Sequence, residues 1–243
     1  MHSEAVSYVA LSPNYYKGRS YKGEARRIDT ITIHHTAGVL SVEALGADFA
    51  RRRRKASANY GVGNDGRIAC YVEEENTAWT SSSRDNDSRA ITIEVVNSRA
   101  GDPWPVSEAA MAALIGLLVD VCKRNGIPRL LWRNDKRLIG QPDKQNMTVH
   151  QWFAATACPG PYLLNRMGEI ADEVNKRLEK TEEEDVKRYQ TLDEILEHAK
   201  WAYPTIKKLV ELKFLGGTGI GLDVSEDMLR TFVVNDRAGL YDR

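Results

Sequence analysis

Two seven-residue segments constrain this chain most: Thr30-Ile-Thr-Ile-His-His-Thr36 and Ala90-Ile-Thr-Ile-Glu-Val-Val96. Both are rich in β-branched residues and free of Gly and Pro, so both read as strands. The second is apolar enough to predict a central place in a sheet. Between them, 58–64 and 67–73 read as two further strands joined at Asn64-Asp65-Gly66, a hairpin signal. Helical patterns alternate with these strands. Ser41 can cap a helix running to about Lys55. Ser107 can cap another that places Ala110, Ala113, Leu114, Leu117, Leu118, Val121 and Cys122 on one face before Gly126. Cys122 lies in that apolar stripe and is expected to be a core thiol. Pro159-Gly160-Pro161 precedes a predicted helix over 162–180, and Arg129 to Trp132 reads as one more short strand. This mixture predicts an α/β domain with helices packed on a central sheet.

The chain has 243 residues, 42% hydrophobic and 28% charged, enough to bury a core. Its 34 basic and 34 acidic side chains cancel, which gives no global case for binding nucleic acid or a membrane surface. The zero is a sum of unequal parts. Residues 1–180 carry a net +4 and residues 181–243 a net −4, with the sign changing at Thr181-Glu-Glu-Glu-Asp185. The expected organisation is therefore a first domain over 1–180, a linker over 181–188 and a small second domain over 189–243. In that second domain Pro204 can open a helix ending near Phe214. A glycine-rich loop spans Gly216 to Gly221, and Ser225 can cap a last helix through Asn235. A module of this size is marginal alone, so it is expected to lean on the first domain or to pair with a second copy as a homodimer. The apolar stretch Ala112 to Val119 is too short for membrane insertion. Three cysteines, Cys70, Cys122 and Cys158, do not make a disulfide framework. Met-His-Ser-Glu at the N-terminus lacks the basic and apolar regions of a signal peptide, so synthesis in the cytoplasm is expected.

Gly61-x-Gly63-x-x-Gly66 matches a dinucleotide fingerprint in letters but not in context, because a strand rather than a helix follows it. The basic run Arg51 to Lys55 suits the C-terminal end of a helix; contact with an anionic polymer is the sharper reading. Of five histidines, His34 and His35 end the first strand, and His150 is followed eight positions later by Cys158. Two His and one Cys are suitable ligands for a zinc site that leaves a fourth position to water. The spacing leaves open two other readings: a buried hydrogen-bonded His with an inert Cys158, or a hydrolase with Cys158 as nucleophile and His150 as base. Glu94 sits among Ile91, Ile93, Val95 and Val96, where a carboxylate is costly unless it has a partner or a chemical task. A surface Glu on an edge strand is the alternative.

Taken in order, Ile-Thr-Ile-His-His-Thr-Ala-Gly (31–38), Asn59-Tyr-Gly-Val-Gly-Asn-Asp-Gly66, Ala78-Trp79, Ala90-Ile-Thr-Ile-Glu94 and His150-x7-Cys158-Pro159-Gly160 resemble the zinc-dependent N-acetylmuramoyl-L-alanine amidases of type 2. That family takes in phage endolysins, bacterial autolysins and peptidoglycan recognition proteins. The resemblance covers about residues 20–175. The segment from Tyr189 to Asp242 looks like the tail domain of clostridial prophage endolysins, and more faintly like an S-layer homology motif.

The resemblance implies a central mixed β-sheet flanked by helices, with a small, mainly helical C-terminal domain. It implies Zn²⁺ held by His34, His150 and Cys158, and Glu94 as the general base that activates water. Thr156 and His35 are implied to assist at the oxyanion or substrate, and Asn59 and Trp79 to contact substrate. Ala58 stands where the recognition-protein branch carries a catalytic Tyr, which places more weight on Glu94. The implied reaction is cleavage of the amide between N-acetylmuramic acid and L-alanine in peptidoglycan; a non-catalytic peptidoglycan-binding module is the alternative. Secondary cell-wall polymers are implied partners for the tail. A wall hydrolase made without a leader fits a phage enzyme released through a membrane lesion that another protein makes.

Overall fold

The computed structural model describes residues 2–185, 187–216, 219 and 221–242. Six strands form one mixed sheet: β1 (Val6–Val9), β2 (Thr30–His35), β3 (Tyr60–Val62), β4 (Ile68–Cys70), β5 (Ala90–Val95) and β6 (Met147–Val149). Their order is β1-β4-β3-β5-β2-β6. The β3–β4 hairpin is antiparallel, and the other four pairings are parallel. The hairpin turns at Gly66, whose φ of 81° is the left-handed conformation that favours glycine. Five helices belong to the same part of the chain: α1 (Val42–Phe49), α2 (Arg84–Arg89), α3 (Glu108–Asn125), α4 (Gly160–Leu164) and α5 (Met167–Asp185).

The Thr–Ile alternation of the central strands divides the sheet into two unlike faces, because successive side chains point to opposite sides. Ile31, Ile33, Ile91, Ile93, Val95, Met147 and Val149 are fully buried in one apolar cluster with Leu114, Leu117, Leu118 and Val121 of α3 and Ile170 and Val174 of α5. The other face carries Thr32, Thr92 and Thr148, followed two residues on by His34 and Glu94 and, just past β6, by His150. Register pairs Thr32 with both Thr92 and Thr148, and His34 with Glu94. Above β3, Gly61 is the register partner of Glu94, and the Tyr71 ring lies across it. Tyr71 also donates from its hydroxyl to the carbonyl of Val42 at 2.7 Å. This ties a smaller core of Val42, Leu45, Phe49, Ala58 and Ala69 to the sheet.

Both predicted serine caps are present: Ser41 accepts from the Ala44 N–H and Ser107 from the Ala110 N–H. Four expectations need correction. The first helix does not reach Lys55. It stops at Phe49 because the Ser12 hydroxyl and the Asn14 amide take the Phe49 carbonyl and Asn14 also takes that of Arg51. The basic run instead forms a separate turn, Arg52–Arg54, closed by Lys55 at φ 50°. Residues 129–132 form no strand, since the side chains of Asn175 and Asn146 satisfy the Leu130 and Leu131 N–H groups in place of a neighbouring strand. The helix expected over 162–180 is two, α4 and α5. The acidic run expected within a linker is helical, as α5 continues to Asp185.

The chain divides into two compact units, Met1–Leu178 and Glu179–Arg243. The second contains a two-stranded antiparallel pair, β7 (Arg188–Tyr189) with β8 (Val224–Ser225), and helices α6 (Leu192–His198), α7 (Tyr203–Glu211) and α8 (Glu226–Arg237). Its core gathers Tyr189, Ile195, Ala202, Ile206, Leu209, Val224 and Leu229. Pro204 sits in the first turn of α7 and Ser225 caps α8, as the sequence predicts. Three residues of the glycine-rich loop, Gly217, Thr218 and Ile220, lie outside the described residues. Among the described residues no helix is long and apolar enough to cross a membrane.

A Cβ at Gly61 would lie 2.6 Å from Tyr71 Cε2 and 2.7 Å from its hydroxyl. G61A is therefore expected to lose about 1–3 kcal/mol by forcing Tyr71 aside. In urea denaturation the loss should shrink in a Tyr71→Ala background, where the clash is gone; full additivity would contradict this contact.

Candidate metal centre

Three elements bring the candidate ligands together. His34 lies near the C-terminal end of β2, on the polar face. His150 follows β6 directly and keeps the same face by strand alternation. Cys158 arrives on the turn before α4, where the Thr156 hydroxyl accepts from the Cys158 N–H at 3.2 Å. Gly160 closes that turn at φ 78°, with no room for a side chain: a Cβ would lie 3.1 Å from His35 Cε1.

His34 Nδ1 and Cys158 Sγ are 3.4 Å apart, and the His34 and His150 rings are 5.0 Å apart between centroids. One ligand atom from each of His34, His150 and Cys158 lies within 4.8 Å of the others. Two donors on a tetrahedral zinc, at ordinary Zn–N and Zn–S lengths, are separated by about 3.6 Å. The cluster therefore fits zinc in donor type and in spacing.

Electrostatics agree with that fit. Burial, then the neighbouring His150 and His35, hold the His34 imidazole well below the usual histidine range, so at neutral pH it is uncharged and able to ligate. Burial also lowers His150. The Cys158 thiol is pushed up, first by burial and then by Glu94, while the backbone N–H of His35 works the other way. Without a cation Cys158 is thus a thiol, and a cation is what would favour its thiolate.

Glu94 is half-buried beside His34. Its Oε2 is buried with no hydrogen-bond partner, as is His34 Nε2. Burial pushes the Glu94 carboxyl up to about 8, against a smaller opposing effect of Arg54. Glu94 and His150 open into a cleft of about 550 Å³ whose walls include Tyr16, Arg54, Lys55, Trp79, Thr80, Ser82 and Arg84. Trp79 leans on Tyr16 with ring centroids 5.1 Å apart, and the Arg84 guanidinium lies over the same Tyr16 ring, 4.1 Å from its centroid. Ser82 Oγ is 3.4 Å from His150 Nε2.

Of the eight residues singled out in the sequence, His34, His150, Cys158 and Glu94 gather at one point, and Trp79 lines the cleft beside them. The other three are placed differently. His35 takes the opposite side of β2 and packs edge-on against Trp104, at 5.3 Å and 82°. Asn59 is fully buried, and its side chain accepts from the Thr92 N–H at 3.1 Å and donates to the Val72 carbonyl at 3.1 Å. Thr156 is exposed and serves the Cys158 turn. In this structure the Asn59 and Thr156 side chains hydrogen-bond to the backbone, and neither they nor His35 line the cleft. Sequence reasoning passed over Tyr16, Ser82, Arg84 and the buried Asp87, which accepts from the Thr80 and Ser81 N–H groups and so shapes the cleft wall. The run Ser81-Ser82-Ser83 ahead of Asp85 and Asp87 was the available signal, since it is a helix start.

A second grouping, His2, Cys70 and Glu73, also falls within 4.8 Å. There the His2 ring already pairs with Glu73 at 2.9 Å. Cys70 is packed in the apolar core, its thiol pushed up to about 12 by burial. It is a hydrogen-bonded pair beside a core thiol.

The model of one protein family, described as N-acetylmuramoyl-L-alanine amidase, matches residues 24–161, a stretch that contains all four gathered residues. The chain belongs to the N-acetylmuramoyl-L-alanine amidase family. Solved structures similar to it include a mutant of PlyL, at 15% identity and a TM-score of 0.50, covering 69% of this chain and 96% of that one. A mutant endolysin from Bacillus subtilis is 17% identical with a TM-score of 0.47, covering 69% and 97%. The N-acetylmuramoyl-L-alanine amidase LysC from Clostridium intestinale is 16% identical with a TM-score of 0.47, covering 70% and 99%. At these identities the PlyL likeness speaks for the fold, a central mixed sheet flanked by helices. No curated protein matches the sequence.

Because Glu94 moves from its ordinary 4.5 to about 8 on folding, the unfolded chain ionises first as pH rises. In metal-free protein, stability contributed by the neutral carboxyl is present below 4.5 and is lost as pH climbs to 8. Chemical denaturation after chelation should show parent stability falling relative to E94Q across that window and levelling above it. A constant gap between the two would contradict the burial of this carboxyl.

Proposed function

We propose that this chain is a zinc-dependent hydrolase that cuts the amide bond between N-acetylmuramic acid and L-alanine of the peptidoglycan stem, and so breaks down the bacterial wall. The observation that supports it is the pairing of a half-buried Glu94, whose Oε2 has no partner, with a His–His–Cys cluster, Glu94 and His150 lining an open cleft. His34, His150 and Cys158 would hold the zinc. When bound, zinc would polarise the scissile carbonyl and acidify a water at its open position.

Glu94 does the proton work. Its free Oε2 takes a proton from the attacking water, and the carboxyl then delivers a proton to the leaving amine of L-alanine. The same burial that raises its pKa lets it hold that proton near neutral pH between the two transfers. Ser82, near His150, fixes the rim on the α2 side. Tyr16 and Trp79 offer an apolar wall, and Arg54, Lys55 and Arg84 offer cations suited to the carboxylates of a stem peptide. Cys158 is a ligand in this reading rather than a nucleophile, since burial and Glu94 both oppose a free thiolate there.

Purified protein is expected to clear bacterial walls with release of new amino groups and no new reducing ends. E94Q should keep its zinc and lose about 10²–10⁴-fold in kcat; near-parent activity in E94Q would remove Glu94 from this role. Chelation should abolish turnover, and iodoacetamide should modify Cys158 only after the metal is removed. The reverse pattern, inhibition by iodoacetamide with indifference to chelators, would favour a cysteine nucleophile.

A further inference from the structure

Two residues below the candidate ligands lies a closed ring of hydrogen bonds. The Asn86 amide donates to Thr32 Oγ1 at 2.9 Å. The Thr148 hydroxyl donates to the Asn86 carbonyl oxygen at 3.0 Å. Thr32 and Thr148 meet at 2.8 Å. Because the Thr148 proton goes to Asn86, Thr32 donates in that last contact, and each hydroxyl gives once and accepts once. All three side chains are buried, so each bond is made away from water, where an unmade one is costly. The second N–H of the Asn86 amide reaches Ser81 Oγ at 3.3 Å, next to Ser82.

Thr32 and Thr148 are register partners on β2 and β6. Each precedes a candidate ligand, His34 or His150, by two residues and on the same face. Here β6 is the edge strand, only three residues long, and pairs on one side alone. An edge strand this short has few ladder bonds to hold its twist and height against β2. The ring adds a side-chain tie between the two strands just beneath the cluster, anchored from α2 through a residue whose helix is capped by Ser83.

We propose that Asn86 is a positioning residue for the metal centre: through Thr32 and Thr148 it sets the separation and aim of His34 and His150. This rests on the zinc reading above. It predicts that the ring governs metal affinity more than it governs folding, because the strands keep their backbone pairing without it while the imidazoles lose their fixed spacing.

The test compares full-length parent, N86L, T32V/T148V and T32S/T148S. Zinc affinity is read by chelator competition, ligand geometry by the visible absorption of the cobalt-substituted protein, and stability by urea denaturation of the metal-free form. N86L and T32V/T148V are expected to bind zinc 10–100-fold more weakly, the range seen when supporting partners of ligands are removed. Their cobalt bands should shift. T32S/T148S, which keeps both hydroxyls, should bind within about threefold of the parent even though Thr→Ser weakens a strand. Ser variants that lose affinity in step with stability, or an N86L protein with parent affinity and an unchanged cobalt spectrum, would overturn the proposal. If the parent itself takes up no zinc while folded, and H34A behaves identically, the zinc reading fails instead.

Discussion

The parallel pairing of β5, β2 and β6, in a register that aligns every second residue across three strands, is the constraint on which the rest depends. It joins Ile31, Ile91 and Met147 at one level and Thr32, Thr92 and Thr148 at the next. One face of these strands then gathers Ile31, Ile33, Ile91, Ile93, Val95, Met147 and Val149 and seats α3 and α5, with His35 at its end. The other face of these three strands carries Thr32, Thr92, Thr148, His34 and Glu94, with His150 just past β6. A one-residue slip of β6 would send His150 to the apolar side and Val149 to the polar one. The gathering of His34, Glu94 and His150 on one face is therefore a property of register, and the apolar core on the far side is what holds that register.

A buried polar face is destabilising unless its groups find partners. Most here do. Asn59 closes on Thr92, Asn86 on Thr32 and Thr148, and Asp87 on two backbone N–H groups, with its carboxyl nonetheless pushed up to about 6 by burial. Among the described residues, the buried side-chain atoms that lack a hydrogen-bond partner include His34 Nε2, Glu94 Oε2 and the Trp79 indole N–H, all three belonging to residues of the candidate site or its cleft. Unsatisfied polar atoms beside a cleft are the signature of a site kept ready for something that is not protein. The same burial that makes Glu94 hard to ionise favours the neutral form of the His34 and His150 imidazoles.

Much of this was legible in the chain. The strands around His34 and Glu94, the hairpin at Gly66, the caps at Ser41, Ser107 and Ser225 and the stripe of α3 all follow from local pattern and are present. The misread stretches share a cause. Residues 50–55, 129–132 and 181–185 were judged from propensity and charge. Their outcome was decided by distant groups: Asn14 on the Phe49 carbonyl, Asn146 and Asn175 on the strand-like segment, and the continuation of α5. Among the site residues, the hydrogen bonds of Asn59 to Thr92 and Val72, and of Thr156 to the Cys158 N–H, were not legible in the motifs that single these residues out.

By itself the sequence determined the chemistry on offer: two histidines, a cysteine and a carboxylate in strand or turn contexts, with a Thr–Ile alternation that makes the sheet two-faced. Those are local facts, set by side-chain type and period. Only the tertiary structure decided that residues 34, 94, 150 and 158 share one point, that His35 is turned away, and that Asn86 ties two strands beneath His34 and His150. The reason is that the parallel pairings of β2 with β5 and with β6 join segments more than fifty residues apart, and no local rule in the chain states which strand will lie beside which.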